Sequence, residues 1–210
     1  VRRLVGTVGI INRMQLKDTH QYLSDAKKQQ WTQILEATGK TNLIVYDKPA
    51  QTLGEIKAKV REERLKNPNG KILVGVDYLT LVKHEGFQYG MEVKKYGAVA
   101  EGLKAIAKEF KCVMIILSQL SRKCEDRPDK RPMSSDIRES GAIEQMADLI
   151  IGLYRHCYYY PSDDALNENT MEWIVLKNRE GAVGTVYTNY NKMTGVITDG
   201  VVPNYAKNDK

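Results

Sequence analysis

The 210-residue sequence predicts an α/β protein with a mostly parallel sheet, helices on both faces of that sheet and a β-hairpin near the carboxyl end. Two patterns support this fold class. Short, continuous apolar runs alternate with amphipathic stretches, as expected for parallel strands that are buried on both faces. Near the carboxyl end, two strand-like runs are joined by a short polar segment, which favours a hairpin.

Two helices and one strand are predicted before residue 70. Residues 43–46 form a short apolar run followed by a turn, which predicts a buried strand. Thr52 and Glu55 match a capping box, which predicts the start of a helix. An earlier helix is predicted to end at Gly39, because apolar residues recur before it at helical spacing: Trp31, Ile34 and Leu35.

Strands and helices alternate in the middle of the chain. Residues 71–76 and 113–117 are apolar runs that predict strands. A helix over residues 137–147 and a strand over residues 149–154 complete a β-α-β-α-β order. The clearest helix lies between the first two strands, where apolar residues recur every three or four positions: Tyr96, Val99, Leu103, Ile106 and Phe110.

The last third of the chain predicts the hairpin. Residues 173–176 and 185–190 read as strands joined by residues 177–181, with residues 195–198 as a third strand. We expect one partial domain over residues 1–210, which begins with the remainder of a helical segment, about residues 1–28. It ends in a polar tail, about residues 199–210.

The composition excludes several classes of protein. The hydrophobic fraction of 42% and the charged fraction of 28% are typical of globular proteins and exclude a disordered chain. No apolar run approaches the roughly 20 residues that cross a bilayer, so we expect no membrane association. The three cysteines are an odd number without CxxC spacing, so they predict neither a disulfide framework nor a zinc site. Unpaired cysteines favour a protein of the reducing cytoplasm. The excess of 32 basic over 26 acidic residues is compatible with a polyanionic partner but does not require one.

Polar side chains follow two of the predicted parallel strands. In an open parallel sheet the ligand lies outside the carboxyl ends of the strands. Asp77 could hold the water shell of Mg²⁺ there, and Gln119 could contact a γ-phosphate or its attacking water. From these residues alone, a turn-forming carboxylate at Asp77 and a loop-anchoring amide at Gln119 remain open alternatives.

Three stretches carry a resemblance to a known family. They read ILVGVDYLTLV at residues 72–82, VMIILSQLSRKCEDRPDKRPMSSDIRESGAIEQMADLIIGLYR at residues 113–155 and LKNREGAVGTV at residues 176–186. In this order they resemble the C-terminal RecA-like motor domain of DnaB-type replicative helicases, over about residues 1–195. The resemblance implies a RecA-like P-loop NTPase core in an ATP-driven helicase that moves along single-stranded DNA and unwinds duplex during replication.

The resemblance also implies a nucleotide site. Asp77 matches the Walker B aspartate, which holds Mg²⁺ through water, and Gln119 matches the glutamine that senses the γ-phosphate. Lys177 and Arg179 match a basic pair that reaches the ATP of the neighbouring subunit in a homohexameric ring. Without the resemblance, these two residues would be read as a solvated hairpin turn.

A DNA-binding loop is implied by residues 136–141. Arg138, Glu139 and Gly141 match residues that contact the backbone of single-stranded DNA. Asp136 and Glu139 also fit a capping box, and both readings can hold at once. Just before this loop, diffuse attraction to the nucleic acid could come from Arg127, Lys130 and Arg131, although Asp126 and Asp129 nearly cancel their charge locally. A primase and a helicase loader are further partners that the resemblance implies.

The phosphate-binding loop itself is missing from the sequence. No G-x-x-x-x-G-K-[ST] motif occurs, and Gly39-Lys40-Thr41 matches only its last three positions. In the family this loop and a catalytic glutamate precede the equivalent of Val1. We therefore expect the chain to lack the Walker A strand, loop and helix and to be inactive alone. A recombinase-like RecA-type ATPase, or a non-catalytic remnant that assembles with an intact helicase, remain alternatives.

Overall fold

A computed structural model describes residues 2–83, 91–137, 140–161 and 168–207 of the chain. The chain divides into two compact units. The first unit contains residues 1–46, 153–173 and 185–210, and the second contains residues 47–152 and 174–184. The single partial domain expected from the sequence remains a prediction.

The amino-terminal part of the first unit is helical. Its helices are α1 (Arg2–Val8), α2 (Thr19–Tyr22) and α3 (Asp25–Gly39). The helix predicted to end at Gly39 is therefore confirmed. A small core holds this part together, with Trp31 packed against three buried side chains: Ile11, Leu16 and Leu23.

Residues 43–46 do not form a strand, so that prediction is wrong. A strand requires a neighbour that accepts and donates its backbone hydrogen bonds. No strand in the described part of the chain pairs with this run. Leu43 and Val45 consequently expose more than half of their surfaces, at 57% and 66%. The apolar pattern alone could not supply the missing neighbour.

The second unit begins with helix α4 (Leu53–Lys66). Its predicted capping box is confirmed, because Glu55 N donates to Thr52 Oγ1 at 3.2 Å and Thr52 N donates to Glu55 Oε2 at 2.8 Å. These bonds satisfy backbone groups that the first turn of a helix leaves unpaired. The Lys48 ammonium and the Thr52 amide lower the pKa of Glu55 to about 2.

A parallel pair of strands lies beside two helices in this unit. Strand β1 (Leu73–Val76) pairs with β2 (Val113–Ile116), and helix α5 (Glu92–Glu109) connects them. This confirms the β-α-β order expected for residues 71–117. The core beneath the strands consists of side chains from α4, α5 and the turn after β1: Val60, Leu79, Val82, Val99, Leu103 and Ile106.

The expected helices on both faces of this sheet are not found in the described residues. Val74 and Met114 pack against the core, whereas Leu73 and Val113 point away from it and remain 65% and 62% exposed. Burial therefore alternates along β1 and β2. Both α4 and α5 pack with the buried side of the strands, so they leave the opposite face open. Continuous apolar strands did not reveal which face the described helices would cover.

A second sheet has the order β3-β4-β5-β6, and its last two strands are antiparallel. Its strands are β3 (Leu149–Tyr154), β4 (Thr170–Asn178), β5 (Gly184–Tyr190) and β6 (Ile197–Asp199). The carboxyl-terminal strands are thus confirmed. Two expectations are corrected. Strand β3 joins this sheet rather than the parallel pair, and Lys177 lies in β4 rather than in a turn. Strand pairing is the cause of both differences. It places β3 beside β4, and it extends β4 beyond its apolar residues to Asn178.

The remaining helices are short. Helix α6 is described over Ser140–Met146, and Ile137, where the helix was predicted to begin, is not part of it, because residues 134–136 form a 3₁₀ turn and Ile137 pairs with Leu120. Helices α7 (His156–Tyr159) and α8 (Asn204–Lys207) follow, the second of them within the predicted polar tail. Among the described helices, none combines the length and the apolar character that crossing a bilayer would require.

Candidate functional site

Asp77 and Gln119 lie just beyond the carboxyl ends of β1 and β2. Leu117 N donates to Val76 O at 3.0 Å, and Leu79 N donates to Leu117 O at the same distance. These bonds continue the pairing of the two strands past their ends. The structure therefore brings both residues to one edge of the parallel pair, where the sequence placed them. Their chemical roles remain predictions.

Both side chains are exposed at this edge. Within the described residues, neither the Asp77 carboxylate nor the Gln119 amide has a hydrogen bond or ion pair with another side chain. The two polar groups are instead available to a solute that approaches the sheet edge.

Lys177 and Arg179 dock on the carboxyl end of α6. Lys177 Nζ donates to the carbonyl oxygen of Glu144 at 2.5 Å, and Arg179 Nη2 donates to the carbonyl oxygen of Gln145 at 3.1 Å. The last carbonyls of a helix have no partner within the helix and carry partial negative charge, so they attract cations. The two basic side chains therefore contact a helix end, and do not extend only into solvent.

Asp148 joins Arg179 to α5, and the sequence reading did not single it out. Arg179 Nη1 donates to Asp148 Oδ1 at 2.7 Å, and Lys104 contacts Asp148 Oδ2. The hydrogen bond from Lys104, with added attraction from Lys104 and Arg179, lowers the pKa of Asp148 below its ordinary value. A carboxylate one residue before a strand gives no local sign of such partners.

The side chain of Asp136 connects both ends of residues 127–136, the segment that leads into α6. We call these residues the closed segment. Its side chain is nearly buried, with the residue 4% exposed, and Arg127 donates to both of its oxygens at 2.7 Å. Met133 N adds a third bond at 2.8 Å. The Arg127 guanidinium holds the pKa of Asp136 below its usual range. Arg127 therefore has a partner within the chain, and its diffuse attraction to DNA stays a prediction.

The closed segment is joined to the strand end that carries Gln119. Ser121 N donates to Asp136 O at 2.7 Å, and Leu120 pairs with Ile137 in an isolated bridge. Gln119 lies one residue before Leu120, and the predicted DNA-binding residues begin one residue after Ile137. The bridge therefore brings these two segments of the chain together.

The structure reaches only one of the three predicted DNA-binding residues. Arg138 and Glu139 lie outside the described residues. Gly141 is in the first turn of α6 and is exposed, and a Cβ built there would meet nothing within 4 Å. Packing within the described residues thus does not require glycine at this position. A requirement for close approach by a ligand would be a separate reason for it.

The sequence matches the DnaB-like helicase C terminal domain family over residues 1–199. The chain belongs to this family. The recognition made from the three sequence stretches is therefore confirmed, and the assignment covers both units of the structure.

Named relatives of this DnaB-like chain are replicative helicases. It is 38% identical over 200 residues to the replicative DNA helicase DnaB of Geobacillus stearothermophilus, and 37% identical over 203 residues to the replicative DNA helicase DnaC of Bacillus subtilis. Each alignment covers 93% of this chain and 43% of the relative. The DnaB-like chain thus spans less than half the length of these relatives.

Two solved structures resemble the DnaB-like chain with a TM-score of 0.87 and 35% identity. One is described as an ATPase domain, and the chain covers 68% of it. The other is a DnaB-like replicative helicase described with its interactions with primase, of which the chain covers 48%. Each match includes 94% of this chain. The α/β architecture with one parallel and one antiparallel sheet is therefore the family fold.

The donor set of the DnaB-like chain suits a magnesium nucleotide. Mg²⁺ usually binds one or two carboxylates, keeps several waters and takes its other ligands from phosphates. The exposed carboxylate of Asp77 can act on such a water shell without a cage of protein ligands. Gln119 at the neighbouring strand end could contact a phosphate oxygen at the same edge.

Proposed function

We propose that the chain is part of the motor of an ATP-driven replicative DNA helicase, which translocates on single-stranded DNA and unwinds duplex. The observation that carries this proposal is the position of Asp77 and Gln119 just beyond the carboxyl ends of the paired strands β1 and β2. Membership of the DnaB-like family supports the helicase over a recombinase-like ATPase. We place the protein in the cytoplasm, where replication would require it.

Asp77 and Gln119 act on the nucleotide of their own subunit in this proposal. Asp77 orients the water shell of Mg²⁺, which when bound neutralises charge on the phosphates. Gln119 hydrogen-bonds the γ-phosphate or the attacking water. Loss of that bond after hydrolysis would shift Gln119 and, with it, the adjacent Leu120. The pairing of Leu120 with Ile137 offers a short route from that contact to the DNA-binding residues.

Lys177 and Arg179 act on the nucleotide of a neighbouring subunit. Negative charge spreads over the γ-phosphoryl oxygens during hydrolysis, and a guanidinium supplied across an interface can compensate it. Their placement at the end of α6 leaves the Arg179 side chain half exposed and therefore accessible to a neighbour. We propose a homohexameric ring, which interacts with a helicase loader and with primase, as the solved DnaB-like helicase does with primase.

The first test compares this chain with a longer polypeptide. These 210 residues contain no G-x-x-x-x-G-K-[ST] loop, so we expect them to release no phosphate from ATP with Mg²⁺ present. A polypeptide that adds the upstream motor segment should hydrolyse ATP, and single-stranded DNA should accelerate it. Phosphate release with and without DNA measures both. Turnover by the 210-residue chain alone would contradict the proposal.

The second test concerns DNA binding. Arg138→Ala in the complete helicase should weaken binding to single strands of any sequence. It should also reduce the slope of log affinity against log salt by about 1, because one phosphate contact is lost. Fluorescence anisotropy across a salt series measures the slope. Arg61→Ala, at an exposed arginine of α4, is the matched control and should leave the slope unchanged. An unaltered slope in Arg138→Ala would remove that residue from the DNA contact.

A further inference from the structure

Helix α6 is fixed along α5 at two points. A Cβ on Gly97 would lie 2.8 Å from Ala142 Cβ, so the helices approach each other closely there. Seven residues further along α5, Lys104 contacts Asp148, just beyond the end of α6. The contacts advance in the same direction on both segments. Helix α6 therefore runs along α5 and is held near its beginning and beyond its end.

The basic pair is attached to the far end of this arrangement. Lys177 and Arg179 donate to the last carbonyls of α6, as described above. The backbone of Arg179 is fixed as well, because its N donates to Asp148 O at 2.9 Å. Both the main chain and the side chain of Arg179 are thus set by the segment that follows α6.

Asp148 is the group common to these attachments. One of its oxygens accepts from Arg179 and the other contacts Lys104 on α5. Because its side chain is 58% exposed, these ion pairs are screened and add little to the stability of the fold. Their effect is geometric, since Arg179 gives Nη1 to the carboxylate and Nη2 to the carbonyl oxygen of Gln145, and a planar guanidinium held at two atoms has few orientations left.

We propose that Asp148 is a positioning residue for Arg179, and that it makes the basic pair, α6 and α5 one rigid group. The inference rests on the proposed action of Arg179 on a neighbouring nucleotide. Gly141 lies in the first turn of the same α6. A displacement of the DNA-contacting segment in one subunit therefore carries its Arg179 toward, or away from, the next subunit's ATP.

The test is Asp148→Asn in the complete helicase. Asparagine keeps the shape of the side chain but removes the charge that holds both cations. We expect the ATPase kcat at saturating single-stranded DNA to fall by about tenfold or more, because a small misplacement of a catalytic group is costly. The KM for ATP, the DNA-binding salt slope and the urea midpoint should stay close to those of the parent. Asp148→Glu, which restores the charge on a longer side chain, should give an intermediate kcat.

Glu62→Gln is the matched control. Glu62 on α4 also bridges two cations, Lys59 and Lys66, and is also exposed, but it touches neither α6 nor the basic pair. Its variant should keep full DNA stimulation.

The outcomes separate this inference from the proposed function. Full DNA stimulation in Asp148→Asn, when Arg179→Ala has lost turnover, overturns the positioning role and leaves the action of Arg179 intact. Full turnover in Arg179→Ala instead removes the proposed function at this site. A strongly lowered urea midpoint in Asp148→Asn would show a structural residue and would also overturn the inference.

Discussion

Replacing Arg179 by alanine is expected to lower DNA-stimulated ATP turnover of the complete helicase by about 10³-fold or more, the range seen for interface arginines in other nucleotide hydrolases. Nucleotide binding should change little, because Asp77 and Gln119 lie at the site of the subunit that holds the nucleotide. Steady-state phosphate release gives the turnover, and titration with a fluorescent ATP analogue gives the affinity. Arg179→Lys keeps a charge without the planar fork and should be intermediate.

Subunit mixing tests whether Arg179 acts across an interface. Rings made only of Arg179→Ala subunits, or only of Asp77→Asn subunits, should both be inactive. In rings of equal random mixture, about a quarter of the interfaces would join an intact Asp77 to an intact Arg179, since each heterologous interface uses different residues of its two subunits. Recovery of turnover on mixing is therefore expected. Its absence would indicate that both residues serve the same subunit.

Asp136→Asn is expected to lower the free energy of unfolding by about 2 kcal/mol at pH 7, the usual contribution of hydrogen bonds to a charged group. The substitution removes the charge that Arg127 contacts with two bonds, and the site is nearly closed to solvent. Urea unfolding followed by circular dichroism measures the difference. An effect below about 0.5 kcal/mol, the level of an exposed pair, would contradict the importance of this ion pair.

The control and the pH dependence sharpen this test. Asp129→Asn alters an exposed aspartate of the same segment, whose oxygen accepts from Arg131 N at 3.0 Å and can do so as an amide. It should cost less than about 0.5 kcal/mol. The folded state lowers the pKa of Asp136, so the stabilisation is complete well above the ordinary aspartate pKa of about 3.9 and is lost as the pH falls through the lower folded value. The gap between parent and variant should accordingly narrow below pH 4.

Local sequence patterns were sufficient for much of the fold. The capping box at Thr52, the helix before Phe110 and the apolar runs that became β1 and β2 all depend on neighbours within a few residues. Such signals need no knowledge of distant partners. The positions of Asp77 and Gln119 could also be predicted locally, because each is a polar residue that closely follows an apolar run. Parallel pairing then brings the carboxyl ends of the two strands to one edge of the sheet.

Local patterns gave wrong predictions where a residue's structure depends on a partner that is distant in the sequence. Residues 43–46 have the composition of a strand, yet no described strand pairs with them. Residues 71–76 and 113–117 predicted a sheet covered on both sides, yet α4 and α5 lie against one side. Apolar residues indicate that a surface can be buried. They do not indicate which helix or strand covers it.

By itself, the sequence determined the family, the order of strands and helices from Leu53 to Tyr154 and the residues that end the parallel pair. Only the tertiary structure decided that Asp148 joins Arg179 to Lys104, and that Asp136 belongs to Arg127. The partners of Asp148 lie 31 and 44 residues away along the chain. No helical or strand periodicity links such positions, because ion pairs form wherever folding brings opposite charges within reach.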